Sequence, residues 1–134
     1  MYRTLIVSSN PSSLSALSQA LQAGGRISVE WVGSGEEALE LVKRAAPDLM
    51  ILDEKEGEPP DFALVRKIMQ QNALINIVMI GRLPEKEFHD AAEGLGILMQ
   101  LPPQPGTAEA EALLTRLALV ADLNNNAFLK RSPI

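Results

Sequence analysis

The sequence contains no cysteine and a single histidine, His89. Without cysteine there is no disulfide framework, no thiolate metal site and no thiol nucleophile. One histidine leaves a zinc site or a nucleophilic triad little to build on, so His89 is read as a solvated helix residue. Cations are also in short supply, with 12 Lys and Arg against 17 Asp and Glu and a formal net charge of −5. Nucleic acid and anionic membrane surfaces are therefore not expected partners, because phosphate binding needs clustered Lys and Arg. The lone tryptophan, Trp31, is read as core or partly covered surface, since an acidic domain lacks the basic groove that base stacking accompanies. No apolar run approaches the ~20 residues of a membrane span. The opening Met1-Tyr2-Arg3-Thr4-Leu5-Ile6-Val7-Ser8 has too short an apolar stretch for a signal peptide. A cytoplasmic domain is the expectation.

What is present is an ordinary globular composition: 134 residues, 46% hydrophobic and 22% charged. That length suits one domain with one hydrophobic core. Leu5-Ile6-Val7 reads as a first strand, followed by Asn10 as helix N-cap and Pro11 at the first helical position. Leu14, Leu17 and Leu21 recur at helical spacing before Gly24-Gly25. Ile27-Ser28-Val29-Glu30-Trp31-Val32 alternates apolar and polar, as an edge strand does. Ser34-Gly35-Glu36-Glu37 is a capping box for a helix stopped by Pro47. A strand over Leu49 to Leu52 follows, then a helix capped by Asp61 with Phe62, Val65, Ile68 and Met69 on one face. Ile75 to Ile80 is a fourth strand, a fourth helix starts near Pro84, and Ile97-Leu98-Met99 is a fifth strand. A long last helix covers roughly Thr107 to Leu123.

Strands alternating with helices through short loops describe a parallel sheet covered on both faces. Right-handed crossovers and an edge strand second in sequence favour the order 2-1-3-4-5, a doubly wound, flavodoxin-like α/β fold. The domain is expected to span residues 1–123, with 124–134 as a tail that contains Phe128 and Leu129.

Asp53 ends the unbroken apolar run Leu49-Met50-Ile51-Leu52. It therefore sits at the carboxyl end of a buried strand, where open α/β sheets collect their ligands. This segment, Pro47-Asp48-Leu49-Met50-Ile51-Leu52-Asp53, together with Gly35-Glu36-Glu37-Ala38-Leu39, resembles response-regulator receiver (CheY-like) domains over residues 4–123. The resemblance implies a phosphoacceptor at Asp53. It also implies two adjacent acids after the first strand for Mg²⁺, a hydroxyl residue after the fourth strand, an aromatic in the fifth and a Lys-Pro pair after it. Those positions fall on Ser8 and Ser9, on Gly81, on Leu98, and on Leu101 with Pro102. A carboxylate attacking a phosphoryl group needs the developing charge neutralised by a hard cation and by positioned donors. With these missing, no Mg²⁺ or other cofactor is expected, and Asp53 is expected to be inactive or weak. A carboxylate held there needs backbone donors or a cation, and Arg82 or Lys55 is a candidate counter-charge.

The resemblance thus implies a degenerate receiver in two-component signalling, not an enzyme, working through protein contacts with a histidine kinase or an output protein. The near alternative is a working receiver phosphorylated slowly at Asp53. A distant alternative is nucleotide binding, because Gly33-Ser34-Gly35-Glu36-Glu37-Ala38 formally matches a dinucleotide fingerprint with Asp53 ~20 residues on. Glu36 and Glu37 oppose it by placing negative charge where a pyrophosphate would sit. Finally, Ala110, Leu113, Leu114, Leu117 and Ala121 form a core stripe on the last helix, yet Ala112, Leu119 and Leu123 line the opposite side. A helix apolar on both sides is normally covered on both. That seam is expected to be covered either by a second copy of the chain or by Phe128 and Leu129.

Overall fold

Short apolar runs between turn-forming residues become strands β1 Tyr2–Val7, β2 Ile27–Val32, β3 Leu49–Leu52, β4 Asn76–Ile80 and β5 Ile97–Leu101. The computed structural model describes residues 2–55 and 57–123, with side chains as far as Val120. All the pairings are parallel and the order is β2-β1-β3-β4-β5. β1 lies between β2 and β3, with Thr4 opposite both Val29 and Leu49. Connecting the strands are α1 Ser15–Gln22, α2 Gly35–Ala45, α3 Phe62–Gln71 and α4 Glu85–Ala92, and α5 Thr107–Leu123 follows β5.

Successive side chains of a strand point to opposite faces, so the central strands feed two cores. Ile6, Leu49, Ile51 and Val78 pack with Leu17 of α1 and with Leu113 and Leu117 of α5. Leu5, Met50, Leu52 and Ile77 pack with Val42 of α2, Val65 and Ile68 of α3 and Phe88 of α4. Burying each such side chain is worth roughly 1.5–3 kcal/mol, which is why β3 is apolar throughout and β1 and β4 are apolar toward their carboxyl ends. β2 is different. Ile27 is buried while Glu30 is exposed and Trp31 is 37% exposed, as an edge strand allows.

The helix ends follow local chemistry. Ser34 Oγ accepts from Glu37 N at 3.2 Å and Asp61 Oδ1 accepts from Leu64 N at 3.0 Å, starting α2 and α3. At the far end of α2, the Arg3 guanidinium donates to the carbonyls of Ala46 (2.9 Å) and Ala45 (3.1 Å), a cation where the helix dipole is negative. Asn10 departs from its expected role. Its side chain makes no cap, and its carbonyl accepts from Ser13 N at 3.1 Å, so the chain enters through a tight 3-10 turn, Pro11–Leu14. β5 runs on through Gln100 and Leu101, two residues past the expected apolar triplet. Among the described residues no helix is long and apolar enough to cross a membrane.

Candidate functional site

Parallel strands bring their carboxyl ends to one rim, and the direction of winding reverses between β1 and β3. Ser8, just after β1, and Asp53, just after β3, meet at that reversal. Backbone ladders continue past both strands and fix them: Asp53 N donates to Val7 O at 2.9 Å, and Ser8 N donates to Val32 O at 3.0 Å.

Asp53 is half-buried and its carboxylate is held by neutral donors. The hydroxyl of buried Ser8 donates to Oδ2 at 2.6 Å, and Glu54 N donates to Oδ1 at 2.9 Å. Ser13 Oγ stands 3.3 Å from the same Oδ2, although its closer acceptor is the carbonyl of Asn10 at 2.9 Å. Asn10 N in turn donates to Ser8 Oγ at 3.0 Å, which fixes the direction of the Ser8 hydroxyl toward the carboxylate. Such donors replace the water that Asp53 loses on partial burial.

The expected counter-charge is not what the structure shows. Arg82 forms a forked pair with Glu54, Nε to Oε1 at 3.2 Å and Nη2 to Oε2 at 3.0 Å. Lys55 is exposed and makes no ion pair among the described residues, and Asp53 makes none either. Arg82, in the loop that follows β4, is thus engaged by Glu54, the residue after Asp53.

The other candidate positions are divided between core and surface. Ser9 is exposed. Leu101 is the last residue of β5, 2% exposed, and belongs to the core between the sheet, α1 and α5. Leu98 is half-buried against the same core, and Pro102 is exposed. Gly81 is buried, and a Cβ there would stand 2.7 Å from Gln100 Oε1. Sequence reasoning passed over Ser13 and Gln100. Ser13 carried no signal beyond a helix start, but a lone Gln in an apolar strand did.

Divalent magnesium, which the resemblance to receivers implies, calls for several constrained oxygen ligands, preferably anionic. Ser8 uses its hydroxyl hydrogen on Asp53, Glu54 is taken by Arg82, and no cluster of three or more His, Asp or Glu is found among the described residues. The residues present do not fit the ion. A cavity of about 250 Å³ opens beside them, lined by Ser9, Asp53, Gly35, Leu39, Leu64 and Met79 among others.

The glycine-rich segment before α2 is explained by packing and capping. Glu37 Oε1 accepts from Gly33 N at 3.2 Å, so the helix start already holds its own carboxylate. A Cβ on Gly35 would stand 2.9 Å from Leu64 Cδ2, so the side chain of Leu64 on α3 packs close against this glycine. The segment also follows the edge strand β2 and not the reversal between β1 and β3.

On α5, Ala110, Leu113 and Leu117 are buried and Leu114 half-buried, as the core stripe requires. Ala112 and Leu119 lie on the open side, Leu119 at 59% exposure. The side chains of Ala121 and Leu123, and all of Phe128 and Leu129, lie outside the described residues. His89 is exposed on α4.

No family model matches the chain, and no curated protein sequence does. Solved structures do. The chemotaxis response regulator CheY4 of Vibrio cholerae superposes with a TM-score of 0.73 at 24% identity, covering 87% of this chain and 98% of that one. A response regulator from Desulfuromonas acetoxidans gives 0.72 at 20% identity, covering 90% and 98%. The REC domain of AraT, a response regulator from Geobacillus stearothermophilus, gives 0.74 at 15% identity, covering 92% and 98%. Together with the strand order β2-β1-β3-β4-β5, these likenesses establish that the chain has the CheY-like receiver fold.

Proposed function

We propose that the chain is a pseudo-receiver of two-component signalling, a protein-interaction module that does not undergo efficient Mg²⁺-dependent phosphorylation. One contact carries the reading: the Ser8 hydroxyl, at 2.6 Å from Asp53 Oδ2, stands where an active receiver would carry an acid. Losing a single preorganised electrostatic group typically costs ~10²–10³ in rate, and here the acids, the hydroxyl and the lysine are replaced together. The partners this reading implies are a histidine kinase or an output protein, met in the cytoplasm. The open side of α5, with Ala112 and Leu119, is the candidate contact surface, and a second copy of the chain is a candidate occupant.

Incubation with beryllofluoride and Mg²⁺, followed by amide NMR, tests the proposal. The expected result is no change at Ser8, Asp53 or Glu54. Saturable shifts there that vanish in Asp53→Asn would favour a working receiver phosphorylated slowly at Asp53. Shifts near Gly33 and Gly35 on adding NAD or ATP would favour nucleotide binding instead, against the carboxylate of Glu37 already held at that helix start.

A further inference from the structure

Gln100 is the single polar residue in Ile97-Leu98-Met99-Gln100-Leu101, and both ends of its amide serve one residue of the preceding loop. Its Oε1 accepts from Leu83 N at 3.2 Å, and its Nε2 donates to Leu83 O at 3.0 Å. An amide that satisfies the N–H and C=O of one residue acts as a strand partner would, so residue 83 is stitched to β5. Gly81 makes room for this. A Cβ at that position would approach Gln100 Oε1 to 2.7 Å, closer than side-chain carbons come to neighbouring atoms. The bonds around the loop are consecutive. Gly81 N donates to Leu101 O at 3.0 Å, Arg82 holds Glu54 through its fork, and Leu83 is held by Gln100. Glu54 N donates in turn to Asp53. Leu83 and Gln100 also line the groove between α4 and β5, with Phe88 and Arg116.

We infer that Gln100 is a built-in latch that fixes the connection between β4 and α4 in one arrangement. The groove beside α4 then keeps its shape whatever the charge on Asp53. This rests on the pseudo-receiver reading and deepens it by stating why the groove does not respond to Asp53. Its test uses no phosphoryl donor or metal, so the two can fail separately.

Native-state amide hydrogen exchange on the whole chain reads the latch directly, because the Leu83 N–H is one of its bonds. In the unmodified chain this amide is protected. Gln100→Ala removes the acceptor, and exchange at Leu83 accelerates about tenfold, with the slow amides of β1 and β3 unchanged. Gly81→Ala pushes the amide aside and has the same effect. The double variant is no faster than either single one, because the added methyl then meets nothing. Should Gly81→Ala fold poorly, Gln100→Met carries the test, keeping the volume and removing the amide. Asp53→Asn leaves Leu83 exchange within about twofold of the unmodified chain. An unprotected Leu83 amide in the unmodified chain, additive effects in the double variant, or accelerated Leu83 exchange in Asp53→Asn would each overturn the inference.

Discussion

The behaviour of this molecule turns on which donor faces which carboxylate. Ser8 and Asp53 are 45 residues apart in sequence, and the Ser8 hydroxyl donates to Asp53 Oδ2 at 2.6 Å. Ser8→Ala leaves Asp53 short of a donor and is expected to lower stability by about 1–3 kcal/mol. Ser8→Asp places a second carboxylate against the first. That variant should melt below the parent in chelator and regain stability in millimolar Mg²⁺, whereas the parent melts at one temperature in both. Paired thermal melts decide it, and a parent stabilised by Mg²⁺ would count against the account. Tyr2 gives a separate handle at the opposite end of β1. Burial holds its phenol above the ordinary 10.0, with the charge of Asp48 adding to the shift and the hydrogen bond from Asn76 opposing it. The folded chain therefore keeps this proton longer than the unfolded chain. Its contribution is complete below pH ~10 and is lost as pH rises through the folded value. Urea midpoints should fall on going from pH ~8 to pH ~11 in the parent, and fall less in Tyr2→Phe. Equal slopes in the two would show that Tyr2 does not carry the effect.

At the scale of elements, the sequence is informative wherever burial imposes a period. The run Leu49–Leu52 is a strand because all four side chains are buried, and Ile27–Val32 alternates because it is an edge. Caps are equally legible when the capping residue and its target are three apart, as Ser34 with Glu37 and Asp61 with Leu64 are. Asn10 was a less reliable guide, since the same composition suits a side-chain cap and the 3-10 turn that forms. α5 holds the element-level prediction. Its open side carries Leu119 at 59% exposure, and leaving one leucine in water forgoes ~1.5–3 kcal/mol relative to burial. If a second copy covers the seam, Leu119→Glu converts a dimer to a monomer with the fold intact. If residues 124–134 cover it, the same change lowers the melting temperature at constant mass. Light scattering together with a thermal melt separates the two. No change in either would remove the seam from the account.

For the whole molecule, five alternations of strand and helix were enough to order the sheet, because handedness and the edge pattern leave few arrangements. The pocket was legible only as a set of absences. Ser8, Ser9, Gly81 and Leu101 told which groups were missing, but not what had replaced them. The replacements are contacts between residues far apart in sequence: Ser8 with Asp53, Arg82 with Glu54 and Gln100 with Leu83. Each depends on side-chain direction at the rim, where no period operates, and this is why Arg82 was expected on Asp53 and is found on Glu54. The central proposal is that this rim does not support efficient Mg²⁺-dependent phosphorylation. Intact-mass spectrometry after incubation with a small-molecule phosphoryl donor and Mg²⁺ tests it most directly. The account predicts an unchanged mass, and a phosphoryl adduct that disappears in Asp53→Asn would contradict it.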